Sequence, residues 1–422
     1  MKSLKYSSRG SLVSALQLAL CRAGFPVEID GIFGTKTQEA VMALQRSRSI
    51  PVTGEVTQPL WYALEPLLSS CYIHTLRRGD TLSGIAQSHS SSIEAIDIAN
   101  PGIDPLALSP GGRLSIPLPF EPVPGIEWST YFNSLVMRAL TCRYPFLRQA
   151  TFGRSVMGRP LRYLAFGEGE RTGIFTAAHH ANEWITAPAL LKCVGSLAGA
   201  YAKGDQEAQK VYQNTRLYFI PLVNPDGVDL VTGALDEGFY SERAQEIAAD
   251  YPDVPFPNGW KANIRGTDLN LQYPAGWDQA KEIKFAQGWV SPAPRDYVGA
   301  SPLSASESRA LYSLTRQLSP KLALALHTQG EVIYWQYQGY APEGAEELAE
   351  RLAAASGYAL DTVPDESSFA GYKDWVIDSL DTPAFTVECG LGESPLPLEQ
   401  LGSISTAVAA ICRECAQYIA TG

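Results

Sequence analysis

Histidine is scarce in this chain, with five residues in 422, and positive charge is outnumbered: 33 Lys and Arg stand against 44 Asp and Glu, giving a formal net charge of −11. Polyanion binders need clustered Lys and Arg that release counterions. No such cluster occurs, which argues against nucleic acid and anionic membrane surfaces as partners. Nowhere does an apolar run approach the ~18 uninterrupted residues of a membrane span, so no membrane insertion is expected. The opening "MKSLKYSSRGSLVSALQLALCRAG" has a basic start, but Leu12, Leu16, Leu18 and Leu20 are interleaved with Ser and Gln, and no small-residue cleavage site follows. It reads as a helix rather than a signal peptide, which predicts a cytoplasmic location.

Cysteine is also sparse, and its count of seven is odd. Cys21, Cys71, Cys142, Cys193, Cys389, Cys412 and Cys415 lie in apolar contexts and read as buried, reduced thiols. Cys412-Arg-Glu-Cys415 has CxxC spacing, but it lacks a second pair for zinc and a βαβ context for redox work. What is plentiful is core material: 45% of residues are hydrophobic and 18% charged, the balance of a globular protein. The length predicts two or three folded units.

Residues 1–68 carry helical periodicity in "SLVSALQLALCRAG", "QEAVMALQRSRS" and a short run near "VTQPLWYAL", which predicts a three-helix unit. Residues 71–118 open with "CYIHTLRRGDTLSGIAQ", in which Asp80 or Thr81 can cap a helix. A second helix follows in "SSIEAIDIANPG" and a strand closes the segment, giving a βααβ order. The proline-rich "LSIPLPFEPVPG" then reads as a linker, and a third unit is expected over 125–422.

In that third unit the apolar runs "LRYLAFGEG", "GIFTAAHH", "LYFIPLVNPDG", "LALALHTQG" and "PAFTVECG" alternate with helical stretches. Near-continuous apolar strands predict a mixed, mostly parallel sheet covered by helices on both faces. Ligands of such sheets bind outside the carboxyl ends of strands, and three of these runs end in His180, His327 and Glu388. Two imidazoles and a carboxylate with one open position make a catalytic zinc site, so His180-Ala-Asn-Glu183 together with His327 is a candidate set. His179 is a rival to His180, but it stands four residues from Glu183 rather than three, and it reads as a packed neighbour.

Three resemblances follow from these motifs. "DGIFGTKTQEAVMALQ", with Asp30, Gly31, Phe33 and Gly34 in an interhelical loop, resembles the peptidoglycan-binding three-helix domain. Gly79-Asp80-Thr81-Leu82, Asn100-Pro101 and Leu114-Ser115-Ile116-Pro117 resemble the LysM module, whose family ligand is the glycan of peptidoglycan. His180-Ala-Asn-Glu183-Trp184-Ile185, Asn224-Pro225-Asp226-Gly227, Asp268-Leu269-Asn270, His327 and Phe385-Thr386-Val387-Glu388 resemble the zinc metallocarboxypeptidase family over roughly 125–420. That resemblance implies one Zn2+ held by His180, Glu183 and His327, with Glu388 as general base and Asp268 bonded to a liganding histidine.

The family pattern is broken in three places. Arginine normally follows Asp-Leu-Asn and grips a terminal carboxylate beside the asparagine; here Asn270 is followed by Leu271. The carbonyl-polarising arginine is replaced by Lys261, with Arg265 as a nearby substitute. The capping tyrosine has no match in "VPDESSFAGYKDW", where Tyr372 is a stand-in. The layout resembles the bacterial γ-D-glutamyl-diamino-acid endopeptidases, implying Glu-assisted attack of zinc-bound water on the γ-D-glutamyl-meso-diaminopimelate or γ-D-glutamyl-lysine bond of stem peptides. A carboxypeptidase or amidase on wall peptides, and a non-catalytic peptidoglycan-binding protein, are the alternatives. The resemblance also suggests spore association as a way for a cytoplasmic chain to meet the wall.

Overall fold

The computed structural model describes residues 3–364 and 367–421. The chain divides into two compact units, Met1–Arg148 and Gln149–Gly422.

The first unit begins with helices Ser11–Arg22, Thr35–Ser47 and Gln58–Leu68. A buried glutamine explains the loop between the first two. The Gln17 amide donates to Asp30 Oδ1 at 2.7 Å, and its Oε1 accepts the backbone N–H groups of Asp30 and Gly31 at 3.1 and 2.9 Å. Gly31 takes φ 68°, a left-handed conformation that glycine adopts without steric cost, while Phe33 is fully buried. The βααβ segment follows: strands β1 (Cys71–Thr75) and β2 (Arg113–Pro117) pair antiparallel around helices Leu82–Ser88 and Ile93–Ala99. Thr81 rather than Asp80 caps the first of these helices, accepting the Gly84 N–H at 3.1 Å. Asn100 ties the second helix to β2, donating to the Ser115 carbonyl at 2.8 Å and accepting the Ser115 N–H at 2.9 Å.

One expectation changes here. Cys71 and Cys142 form a disulfide, so they are not reduced thiols; Cys21, Cys193, Cys389, Cys412 and Cys415 are free. Helix Thr130–Arg143 lies in the first unit, which ends at Arg148.

The second unit contains an eight-stranded sheet built from β3 (Arg148–Arg154), β4 (Pro160–Phe166), β5 (Arg171–Ala177), β6 (Thr215–Ile220), β7 (Leu322–His327), β8 (Val332–Tyr334), β9 (Ala359–Asp361) and β10 (Ala384–Glu388). Its order is β3-β4-β6-β5-β7-β10-β8-β9, with β6, β5, β7 and β10 mutually parallel. The antiparallel pairings β4–β6 and β10–β8 make the sheet mixed. Every residue of β7 is buried, as a strand covered on both faces requires. Helix Leu401–Thr421 lies so close to β5 that a Cβ on Gly173 would stand 2.4 Å from Ile419 Cδ1. Glycine at that point lets the helix seat on the sheet.

Candidate active site

The parallel order places β5, β7 and β10 side by side and brings their carboxyl ends together. His327 and Glu388 are the last residues of β7 and β10 and pair with each other in register. His180 and Glu183 lie just past the end of β5, where Ala178 takes φ 50° to turn the chain. Asn224 fixes that turn. Its backbone N–H donates to the Ala178 carbonyl at 3.0 Å, and its side-chain amide donates to the carbonyls of His179 and Ala262 at 3.2 and 3.0 Å. The Asn-Pro-Asp-Gly motif is thus a staple between the turn carrying His180 and the loop carrying Lys261. The Ala181 N–H adds a bond to the Lys261 carbonyl at 3.0 Å.

Three side chains converge. His180 Nδ1 lies 2.8 Å from Glu183 Oε1, His327 Nδ1 lies 2.9 Å from Glu183 Oε2, and the two Nδ1 atoms are 3.3 Å apart. A tetrahedral zinc with Zn–N bonds of about 2.0–2.1 Å holds its ligand nitrogens roughly 3.3 Å apart. Two imidazole nitrogens aimed at each other across one carboxylate therefore fit that ion. Among the described residues this is the one His/Cys/Asp/Glu group with metal-ligand geometry.

Asp268 supports the set from behind, with Oδ1 3.1 Å from His180 Nε2 and accepting the Asn270 N–H at 3.0 Å. Burial opposes protonation of His180, but the carboxylates of Glu183 and Asp268 outweigh it and push the imidazole up to about 10. A cation binding there must displace a proton. Burial likewise opposes ionisation of Glu183, yet His180, Lys261 and His327 hold its carboxyl well below the ordinary range. His179 is fully buried and stacks on His327 at 5.4 Å, with both ring nitrogens unpartnered. Burial holds it well below the usual imidazole value and hence neutral. It packs.

A cleft of about 340 Å³ opens over this cluster, and Lys261, Asn270, Leu271 and Glu388 all line it. Lys261 Nζ stands 3.4 Å from Glu183 Oε1. Asn270 Oδ1 accepts the Tyr372 N–H at 3.0 Å. Leu271 is buried against Trp277, Ala280, Val298 and Ala370. Burial raises the Glu388 carboxyl; His327 pulls it back, Glu183 raises it further, and the result stays above the ordinary glutamate value.

Two candidates from the sequence fall elsewhere. Arg265 lines a different groove, with Arg243 and Arg309, and does not reach the metal cluster. Tyr372 is buried with its hydroxyl 2.9 Å from Thr315 Oγ1, so its ring belongs to the core. Within "VPDESSFAGYKDW", Asp365 and Glu366 lie outside the described residues. The tyrosine that lines the cleft is Tyr334, at the end of β8 and opposite Thr386 in register. Arg295 and Lys373 also line it. No local sequence motif marks these residues.

Comparison with known proteins agrees with this geometry. A family model for zinc carboxypeptidases matches residues 135–406, one for the peptidoglycan-binding domain matches 9–64, and one for the LysM domain matches 74–117. The γ-D-glutamyl-L-diamino acid endopeptidase 1 of Lysinibacillus sphaericus is 36% identical over 66% of this chain and 69% of its own. The uncharacterized protein YqgT of Bacillus subtilis (strain 168) is 39% identical over 64% of this chain and 71% of its own. Crystalline thrombin-activatable fibrinolysis inhibitor shares the fold, with a TM-score of 0.56 at 20% identity over 70% of this chain and 78% of that one. The two N-terminal matches overturn the cytoplasmic assignment, with or without a spore: both modules are of kinds that target the cell wall, which lies outside the membrane. The Cys71–Cys142 disulfide agrees with an oxidising surrounding.

Proposed function

From the premise that the chain belongs to the zinc carboxypeptidase family and is a zinc-dependent peptidase directed at peptidoglycan-related substrates, we propose that it hydrolyses the bond between the side-chain carboxyl of D-glutamate and the following meso-diaminopimelate or lysine. The observation that carries this reading is Leu271. An apolar side chain packed under the cleft, where the family pattern has arginine, cannot hold a terminal carboxylate with a charged fork. A substrate chain that continues past the cut bond meets no such demand, and the Lysinibacillus relative bears the name of an endopeptidase of this kind.

His180, Glu183 and His327 would hold the zinc, which when bound supplies Lewis acidity to a carbonyl and makes water more acidic. Glu388 takes a proton from the attacking water and returns it to the leaving amine. Its raised affinity for protons suits both halves of that exchange. Lys261 supplies positive charge to the carbonyl oxygen as it becomes an oxyanion. Asn270 donates its amide to a polar group of the substrate, and Asp268 holds the His180 ring in one tautomer.

The test is mass spectrometry of products after incubating zinc-loaded protein with L-Ala-γ-D-Glu-meso-diaminopimelyl-D-Ala stems and with stems lacking the γ-linkage. Release of L-Ala-D-Glu together with the diaminopimelyl-D-Ala dipeptide from the first alone is the expected result. Loss of only the terminal D-Ala would assign a carboxypeptidase instead.

A further inference from the structure

We propose that Arg295 binds the free α-carboxylate that a γ-linked D-glutamyl residue carries beside the scissile bond, and so selects stems in which that carboxyl is not amidated. The inference rests on the substrate reading above and names the side chain that recognises the glutamyl residue.

Lys261, Lys284, Arg295 and Lys373 are the cations lining the cleft. Three of them are committed. Lys261, 3.4 Å from Glu183, is the group assigned to the carbonyl oxygen, and Lys284 faces Asp296 at 2.8 Å. Lys373 is buried between Asp374 at 2.5 Å and the Gln336 carbonyl at 2.7 Å. Arg295 differs. Its Nε donates to Asp296 Oδ2 at 2.6 Å, no described residue engages its Nη nitrogens, and its side chain is 42% exposed. A guanidinium anchored through one nitrogen with two donors open is the group that grips a carboxylate in bidentate fashion.

Its position is fixed from the metal cluster outward. Asp296 holds Arg295 with one oxygen and Lys284 with the other, while its backbone N–H donates to Asp268 Oδ2 at 3.3 Å. Asp268 in turn meets His180 at 3.1 Å. Arg295 is thus tethered through two carboxylates to a metal ligand. In a γ-linked glutamyl residue the α-carboxylate stands only ~5 Å from the scissile carbonyl at full extension. An α-linked residue without an acidic side chain has no carboxylate at that place, and an α-linked glutamate presents one at the same span but from a carbon that bears no amide nitrogen. Leu271 offers no competing charge, so Arg295 is the open cation that a substrate carboxylate near the reacting carbon would meet.

The experiment compares stems carrying D-glutamate with stems carrying D-isoglutamine, whose α-carboxyl is an amide, using zinc-loaded full-length protein. The wild type should favour glutamate in kcat/KM by roughly 30- to 100-fold, the worth of a charged hydrogen-bonded pair. Arg295→Met should bring that ratio close to one, and Arg295→Lys should fall between. Because each ratio is internal to one variant, a general loss of activity does not alter it. In parallel, calorimetry should show L-Ala-D-Glu binding weakened in Arg295→Met while L-Ala-D-isoglutamine binding is unmoved. A ratio unchanged by Arg295→Met, or a loss that instead follows amidation of the diaminopimelate carboxyls, would overturn the assignment. If the wild type cut neither γ-linked stem, the bond assignment would fail by itself, and calorimetry would still decide whether Arg295 takes the glutamate carboxylate.

Discussion

His327 and Glu388 stand opposite each other at the carboxyl ends of adjacent parallel strands, so one register fixes both a metal ligand and the carboxylate assigned as base. Their separation is set by strand spacing, not by loops. Glu388→Gln keeps the shape of the side chain and removes its basicity, and it should lower kcat by roughly 10²- to 10⁴-fold. Zinc content by elemental analysis should be unchanged, because Glu388 is outside the ligand trio. Wild-type turnover in this variant would remove Glu388 from the mechanism.

The same carboxylate predicts a pH profile. Glu388 must be ionised to accept a proton, and burial raises it above the ordinary glutamate value. Activity should therefore fall as pH drops through that raised value, placing the acid limb of kcat/KM above the ~4.3 of an exposed glutamate. A rate profile with its acid limb at or below that figure would contradict the assignment. In Glu388→Gln the limb should vanish from whatever residual activity remains.

Much of the site was legible because the informative residues end apolar runs. "GIFTAAHH", "LALALHTQG" and "PAFTVECG" are β5, β7 and β10, and the HxxE spacing marks His180 and Glu183. The parallel sheet does the rest by aligning those ends. Arg295 and Tyr334 were not legible, since their places depend on how a long loop and a short antiparallel strand return to the cleft. Tyr372 misled for a related reason: it begins helix Tyr372–Leu380, where its N–H faces Asn270 while its ring turns inward to Thr315. The Cys71–Cys142 bridge spans 71 residues, and an odd cysteine count hid it.

Asp268 fixes His180 from the side away from the zinc ligands, at 3.1 Å from Nε2. Asp268→Ala should loosen the ring and weaken zinc by roughly 10- to 100-fold. Competition with a chelator of known affinity measures this directly. An unchanged zinc affinity would show that packing by His179 and His327 suffices to hold the ring.

Leu271→Arg restores the family's charged residue beside Asn270. The variant should gain activity, by tenfold or more on the basis of a charged bidentate pair, toward peptides with a free terminal carboxylate at the leaving residue. Kinetics on a matched pair of free and amidated substrates would show it. No gain would mean that Leu271 is not what separates this chain from exopeptidases. Its burial against Trp277 and Val298 makes a thermal melt of the variant a necessary companion measurement.

The disulfide yields a prediction about the first unit alone. Cys71 sits at the start of β1 and Cys142 near the end of helix Thr130–Arg143, closing a loop with a sequence separation of 71. A loop of that length restricts the unfolded chain enough to stabilise the fold by up to about 4 kcal/mol, with typical bridges giving 2–4. Cys71→Ser should accordingly lower the melting temperature of the first unit, and binding to purified sacculi should weaken at temperatures where that unit opens. Cleavage of a small soluble stem peptide should persist, because every residue assigned to the chemistry lies in the second unit. Equal loss of sacculus binding and soluble-peptide cleavage would mean that the two units do not fold independently.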